Sequence, residues 1–139
     1  MLDDMYINGE PLSSYGYMIK HKSIGMPVPN VKYVEIPGRN GKLDITDFTG
    51  VTYGNRPILV QLRVEDKNKY MMARQKLEAI NGRNVDISFS DEPNVTYRGR
   101  VTINLYDRVS RRFCDAEISQ DADPWPYHTL TGEELVPDV

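Results

Sequence analysis

The sequence has one cysteine, Cys114, two histidines and one tryptophan. A single cysteine excludes an intramolecular disulfide, which fits folding in a reducing compartment and argues against a secreted disulfide scaffold. No stretch approaches ~18 consecutive apolar residues, so no membrane-spanning helix is expected. Asp3 and Asp4 stand near the N-terminus where a secretory leader carries Lys or Arg, and no apolar run follows, so no leader is expected either. Excess positive charge is also missing: Lys and Arg number 17 against 20 Asp and Glu. Residues 128–139 hold three of those acids and no Lys or Arg, which leaves 17 of each sign in residues 1–127. A formally neutral body gives no global support for nucleic-acid binding.

At 139 residues the chain has the length of one domain. What it has in plenty is β patterning broken by turns. Leu2 to Ile7 reads as a short strand closed by the Asn8-Gly9 turn. Residues 11–30 are rich in Pro and Gly, with one short extended piece at Tyr15–Lys20. Val31–Ile36 and Lys42–Thr46 flank the loop Pro37-Gly38-Arg39-Asn40-Gly41, a turn follows at Asp47–Gly50, and Val51–Tyr53 is extended. Residues 31–53 therefore read as one or two hairpins forming a long arm. Pro57–Val64 is the clearest strand, with Ile58, Val60, Leu62 and Val64 on one face.

The period then changes. Asp66 is placed to cap a helix, Tyr70, Ala73, Leu77 and Ile80 form one apolar stripe, and Asn81-Gly82 stops it. The spacing predicts one helix over residues 67–81. Strands resume at Val85–Phe89 and at Val95–Leu105, with a turn at Asp91–Asn94. Gly99 falls in the apolar phase of the second strand, which points to a bulge or a close backbone approach. A last strand, bulged, is expected from Arg108 to Ile118. Asp123-Pro124-Trp125-Pro126-Tyr127 is extended by its prolines, and the acidic segment beyond it has no periodicity. Many strands and one inserted helix describe a mostly β fold, an antiparallel sandwich or split barrel with the helix packed on it.

Residues that could carry chemistry are few. His21 and His128 have no adjacent metal-ligand partners. Cys114 follows Phe113 on a strand and has no visible histidine partner, so it reads as a packed thiol rather than a nucleophile. Gly38-Arg39-Asn40-Gly41-Lys42 has too short a spacing for a phosphate loop, and no helix follows it. Asp44 and Asp47 lack the further oxygen ligands of a calcium site. No catalytic residue, metal or cofactor is expected, and the protein is not read as an enzyme. Nine tyrosines, five of them among residues 6–53, suit a wet or interfacial surface.

One run of residues carries a resemblance. Val34-Glu35-Ile36-Pro37-Gly38-Arg39-Asn40-Gly41-Lys42-Leu43-Asp44 resembles the hallmark of the phage distal tail protein family. The order of the other segments is similar too: the N-terminal Met-Tyr-Ile-Asn-Gly turn, Thr52–Ile58, the helix, Tyr97-Arg98-Gly99-Arg100-Val101 and Asp123–Tyr127. The resemblance spans residues 1–127. It implies a ring-forming β domain at 1–127, followed by an acidic tail or truncated linker at 128–139. It further implies a structural role at the tail tip of a long-tailed phage, in a homo-hexameric ring joining the tail tube to the tip or baseplate. DNA would pass through the lumen, and no membrane insertion is implied. Localisation would be the virion tail, and the host cytoplasm during assembly. A cyclic ring needs two different complementary patches on each subunit. We expect Arg39, Asn40 and Lys42 at one such interface or near the lumen. The alternatives are a standalone carbohydrate- or protein-binding β-sandwich, which predicts a monomer, and another protein of tail-tube type.

Overall fold

A computed structural model of the chain describes residues 4–38, 40–44, 52–106 and 114–137. Among these, strands β1 (Met5–Ile7), β2 (Glu10–Pro11), β3 (Tyr17–Ile24), β8 (Arg56–Val64), β9 (Asn84–Phe89), β10 (Glu92–Leu105) and β11 (Cys114–Ala122) form one sheet. Its order is β2-β1-β9-β10-β11-β8-β3, and every pairing is antiparallel. Two small ladders stand apart: β4 (Pro29–Asn30) with β7 (Thr52–Tyr53), and β5 (Tyr33–Glu35) with β6 (Lys42–Asp44). The one α-helix among the described residues, α1 (Tyr70–Ile80), follows β8 through a 3-10 turn at Lys67–Lys69.

The period-two pattern of β8, which lies between β11 and β3, turns one of its faces into the core. Ile58, Val60, Leu62 and Val64 are buried, and the residues between them are half-buried. The stripe Tyr70, Ala73, Leu77 and Ile80 is the buried face of α1, as its spacing predicts. Asp66 does act at the helix start. Its Oδ1 accepts from the Asn68 N–H at 3.0 Å, so it caps the 3-10 turn that leads into the helix rather than the helix proper.

The sheet curls without closing into a barrel, and α1 reaches both of its open edges. On one side the Tyr17 hydroxyl of β3 donates to the Ala73 carbonyl at 2.6 Å. On the other, Lys76 pairs with Glu10 of β2 and lies over the Tyr15 ring. The hydrogen bond and charge of Lys76 hold the Glu10 carboxyl below its ordinary range. One continuous cluster fills the space between, including Met5, Phe89, Ile118 and Leu12. Each such large apolar side chain contributes about 1.5–3 kcal/mol by leaving water.

Four expectations change. The piece at Tyr15–Lys20 is a 3-10 turn (Leu12–Tyr15) followed by an eight-residue strand, because β3 pairs along nearly all of β8. The turn expected at Asp91–Asn94 is tighter: Phe89 pairs with Glu92, leaving Ser90 and Asp91 as its two-residue loop. The last strand runs on past Ile118 to Ala122, in regular register from Cys114, and register shifts are found in β3 and β10, while the expected bulge, a change of phase after Phe113, borders residues outside the described set. Its expected start at Arg108–Phe113, like Ile45, the turn at Asp47–Gly50 and Val51, lies outside the described residues.

The fourth concerns the C-terminal segment. Tyr127 and His128 form β12, which pairs with Thr96 and Val95 of β10. β12 continues the line of β11 along the same edge of β10, after the Pro124-Trp125-Pro126 interruption. Prolines donate no ladder hydrogen bond, so they fall where the chain steps off the strand. The segment then turns back on itself: Leu135 N–H donates to the Pro126 carbonyl at 2.8 Å, and Tyr127 bridges Glu134. Periodicity gave no sign of this, because the pairing rests on backbone groups.

Candidate functional site

The arm emerges from the body between β3 and β8. Gly54 N–H donates to the Val28 carbonyl at 2.7 Å, and the Asn30 amide donates to the Thr52 hydroxyl at 3.1 Å. The ladder resumes as Tyr33 opposite Asp44, Val34 opposite Leu43 and Glu35 opposite Lys42. The tip is the Pro37–Gly41 loop, where Gly38 and Gly41 take φ of 82° and 79°. Those left-handed values explain why glycine stands at both places.

Arg56 ties the root of the arm to the body. Its Nε and Nη2 both donate to the Pro124 carbonyl, at 3.2 and 3.0 Å, and its Nη1 donates to the Gly25 carbonyl at 3.1 Å. Beside it the Tyr53 and Trp125 rings meet edge to face, 5.1 Å between centroids. The guanidinium also lies 6.0 Å from the Tyr97 ring. Burial, together with the charge and hydrogen bond of Glu92, pushes the Tyr97 phenol up to about 12. Tyr97 is therefore a neutral donor to Glu92. Arg56 thus joins three segments that are remote in sequence. Arg56→Lys is expected to destabilise the fold by about 2 kcal/mol, because one ammonium cannot replace a fork of charged donors. At this chain length that is a fall of roughly 6–10 °C in Tm. An unchanged melting curve would show that the root is held by other contacts.

The arm is apolar where it meets solvent. Met26 is 82% exposed, Val28 and Tyr33 are each 58% exposed, and Val34 and Ile36 are exposed as well. Both small ladders lack a buried residue on the described side chains. A hairpin of this kind is marginal by itself in water, and side chains of this kind gather where a partner covers them.

Of the residues singled out from sequence, Asn40 and Lys42 are exposed at the arm tip. The Lys42 ammonium is 3.9 Å from Glu35 across the ladder. Arg39 lies outside the described residues. The apolar side chains behind the tip and the Arg56–Trp125 root were not singled out. Their signal was present in the aliphatic and aromatic residues of a Pro- and Gly-rich stretch, and in the two Pro-flanked motifs that here touch. Elsewhere the chemistry is sparse. Among the described residues no group of three or more His, Cys, Asp or Glu is arranged to hold a metal ion. The best-formed charged cluster joins Asp115 to Arg63 at 2.8 Å and Lys20 at 3.3 Å. The Arg63 hydrogen bond, then the one from Lys20, depresses the Asp115 carboxyl below its ordinary range. This cluster lies across three neighbouring strands of the sheet, as cross-strand pairs do.

Three comparisons bear on this arrangement. The profile of the family described as phage tail protein RIFT-related domain matches residues 10–119. No curated protein matches the sequence. Among solved structures, the chain is similar to the Dit protein (gp 19.1) of SPP1, described as a paradigm of the hub adsorption apparatus in phages that infect Gram-positive hosts. The TM-score is 0.69 at 22% identity, over 92% of this chain and 53% of that one. The likeness is one of fold, and this chain spans about half the length of that protein.

Proposed function

The chain belongs to the family of phage tail proteins with a RIFT-related domain, and from that premise we propose that it forms a ring at the distal end of a phage tail. Its role is structural. In this reading the ring is a homo-hexamer that joins the tail tube to the tip or baseplate, with DNA passing through its lumen. The protein would sit in the virion tail, after assembly in the host cytoplasm. Residues 1–127 would be the ring-forming unit and residues 128–139 an acidic extension of it.

The observation that carries this reading is the exposed apolar arm. A cyclic assembly is built from heterologous contacts, so one patch of each subunit must reach a different patch on the next. A projecting hairpin with apolar side chains and no core of its own is suited to be one of the two. Arg39, Asn40 and Lys42 then belong to the interface or to the rim of the lumen.

The test is native mass spectrometry or multi-angle light scattering over a concentration series. A species of six times the 15.9 kDa chain mass is expected to grow with concentration. Arg39→Glu is expected to weaken that association by tenfold or more, a loss of about 1.4 kcal/mol per contact. A monomer at every concentration would overturn the ring and favour a standalone binding module.

A further inference from the structure

The hairpin that follows Trp125 carries a contact with a defined protonation requirement. His128 sits in β12, and its Nδ1 accepts from the backbone N–H of Leu130 at 3.2 Å and of Thr131 at 3.4 Å. Two donors aimed at one ring nitrogen need its lone pair, so the ring proton resides on Nε2. The same residue closes the turn with its main chain. His128 N–H donates to the Glu133 carbonyl at 2.7 Å, and its carbonyl accepts from Gly132 at 2.8 Å. Thr129 N–H donates to the Asn94 carbonyl at 3.0 Å, and the Thr96 and Thr129 hydroxyls lie 2.9 Å apart.

We propose that residues 127–135 are a latch on the edge of β10, fastened by the neutral imidazole of His128 and loosened when that ring takes up a proton. A second ring proton turns the Nδ1 acceptor into a donor that faces two other donors. Both side-chain contacts of the turn are lost at once, and the hairpin is left to its main-chain bonds and the short ladder to β10. Protonation and the closed turn are therefore mutually exclusive at that nitrogen.

The charges around the ring come from several elements. Asp86 of β9 and Arg98 of β10 line the same cleft as His128. They are paired at 2.8 Å, and the Arg98 guanidinium lies over the Tyr127 ring. Tyr127 donates to Asp123 at 2.6 Å, and that hydrogen bond raises its phenol above the ordinary value. Glu133 and Glu134 belong to the hairpin itself. The Asp86–Arg98 pair contributes little net charge, and Asp123 is engaged by the Tyr127 hydroxyl. Opening the latch frees the edge of β10 at Asn94–Thr96.

The experiment is amide exchange by NMR on the whole chain, read as protection factors so that the intrinsic pH dependence divides out. Imidazole is the side chain whose charge ordinarily changes between pH 5 and 8. Protection at Leu130, Thr131 and Leu135 is expected to fall tenfold or more between pH 8 and pH 5, while protection in β8 holds. His128→Asn supplies a carboxamide oxygen that accepts from the same two N–H groups and does not titrate. It should keep the hairpin protected at both pH values, and His128→Ala should leave it open at both. Unchanged protection in the natural chain, or a pH response that survives in His128→Asn, would overturn the latch.

Discussion

Gly99→Ala is expected to destabilise the protein by about 3 kcal/mol or more and to lower Tm by roughly 10–15 °C. The usual sign of this substitution is the reverse. Glycine inside a strand costs about 0.5–1 kcal/mol relative to alanine, through the freedom it loses on folding. Here a Cβ at Gly99 would lie 2.3 Å from the Asp121 carbonyl oxygen and 2.6 Å from the Ala122 Cα. Those atoms belong to the backbone of β11, directly opposite in the ladder, so no side chain can swing aside. The strands must part, and the buried Gln120 is affected with them. Its amide donates to the carbonyls of Val85, Tyr97 and Gly99 at 3.1, 3.2 and 3.3 Å, spanning β9 and β10. The steric cost exceeds the entropic gain severalfold. Thermal and urea melts decide the matter: a Tm within about 3 °C of the natural chain would mean that the two strands do not approach so closely.

Val31→Thr, Tyr33→Thr and Ile36→Thr in one chain are expected to weaken self-association about a hundredfold and to leave the monomer's melting curve in place. All three side chains are exposed, and surface changes of this kind usually alter stability by no more than about 0.5 kcal/mol. At a subunit contact the balance differs. A buried apolar anchor is worth about 1 kcal/mol or more, and three of them amount to roughly two decades in Kd. Threonine keeps the β preference of the two ladders, so the arm itself survives. Sedimentation velocity across a concentration series measures the first effect and a thermal melt the second. Association at the natural strength would remove the arm from the interface. A collapse of the melt would show that these side chains pack on their own body.

Much of the body is legible in the sequence because its elements announce themselves by period. Ile58 to Val64 alternates by two, and Tyr70 to Ile80 repeats by three and four. Both patterns arise from burial on one face, which is what the structure shows. Gly99 is legible for a similar reason, as a missing side chain in an apolar phase. Gln120 is not. It continues the inward phase of Ala116 and Ile118, yet its polarity hides that, and only the three carbonyls beneath it explain its burial. β12 escapes for a related reason, since its pairing with Val95 and Thr96 is a matter of main-chain groups. At the arm, the Pro-Gly loop marks the tip, and with it Arg39, Asn40 and Lys42. The apolar side chains behind the tip carry no such mark. Exposure belongs to the folded chain, and alternation alone does not say which face is left uncovered.

Arg56 has one further consequence, which concerns time. Its fork closes on the carbonyl of a residue made 68 positions later, and the Trp125 that packs on Tyr53 comes later still. During synthesis, at about 5–20 residues per second, the arm is therefore made several seconds before its footing exists. Nascent chains crowded on one messenger hold the hairpin but not its anchor. Synthesis of Pro124 and Trp125 completes the footing, so the root of the arm is set only once that stretch has followed.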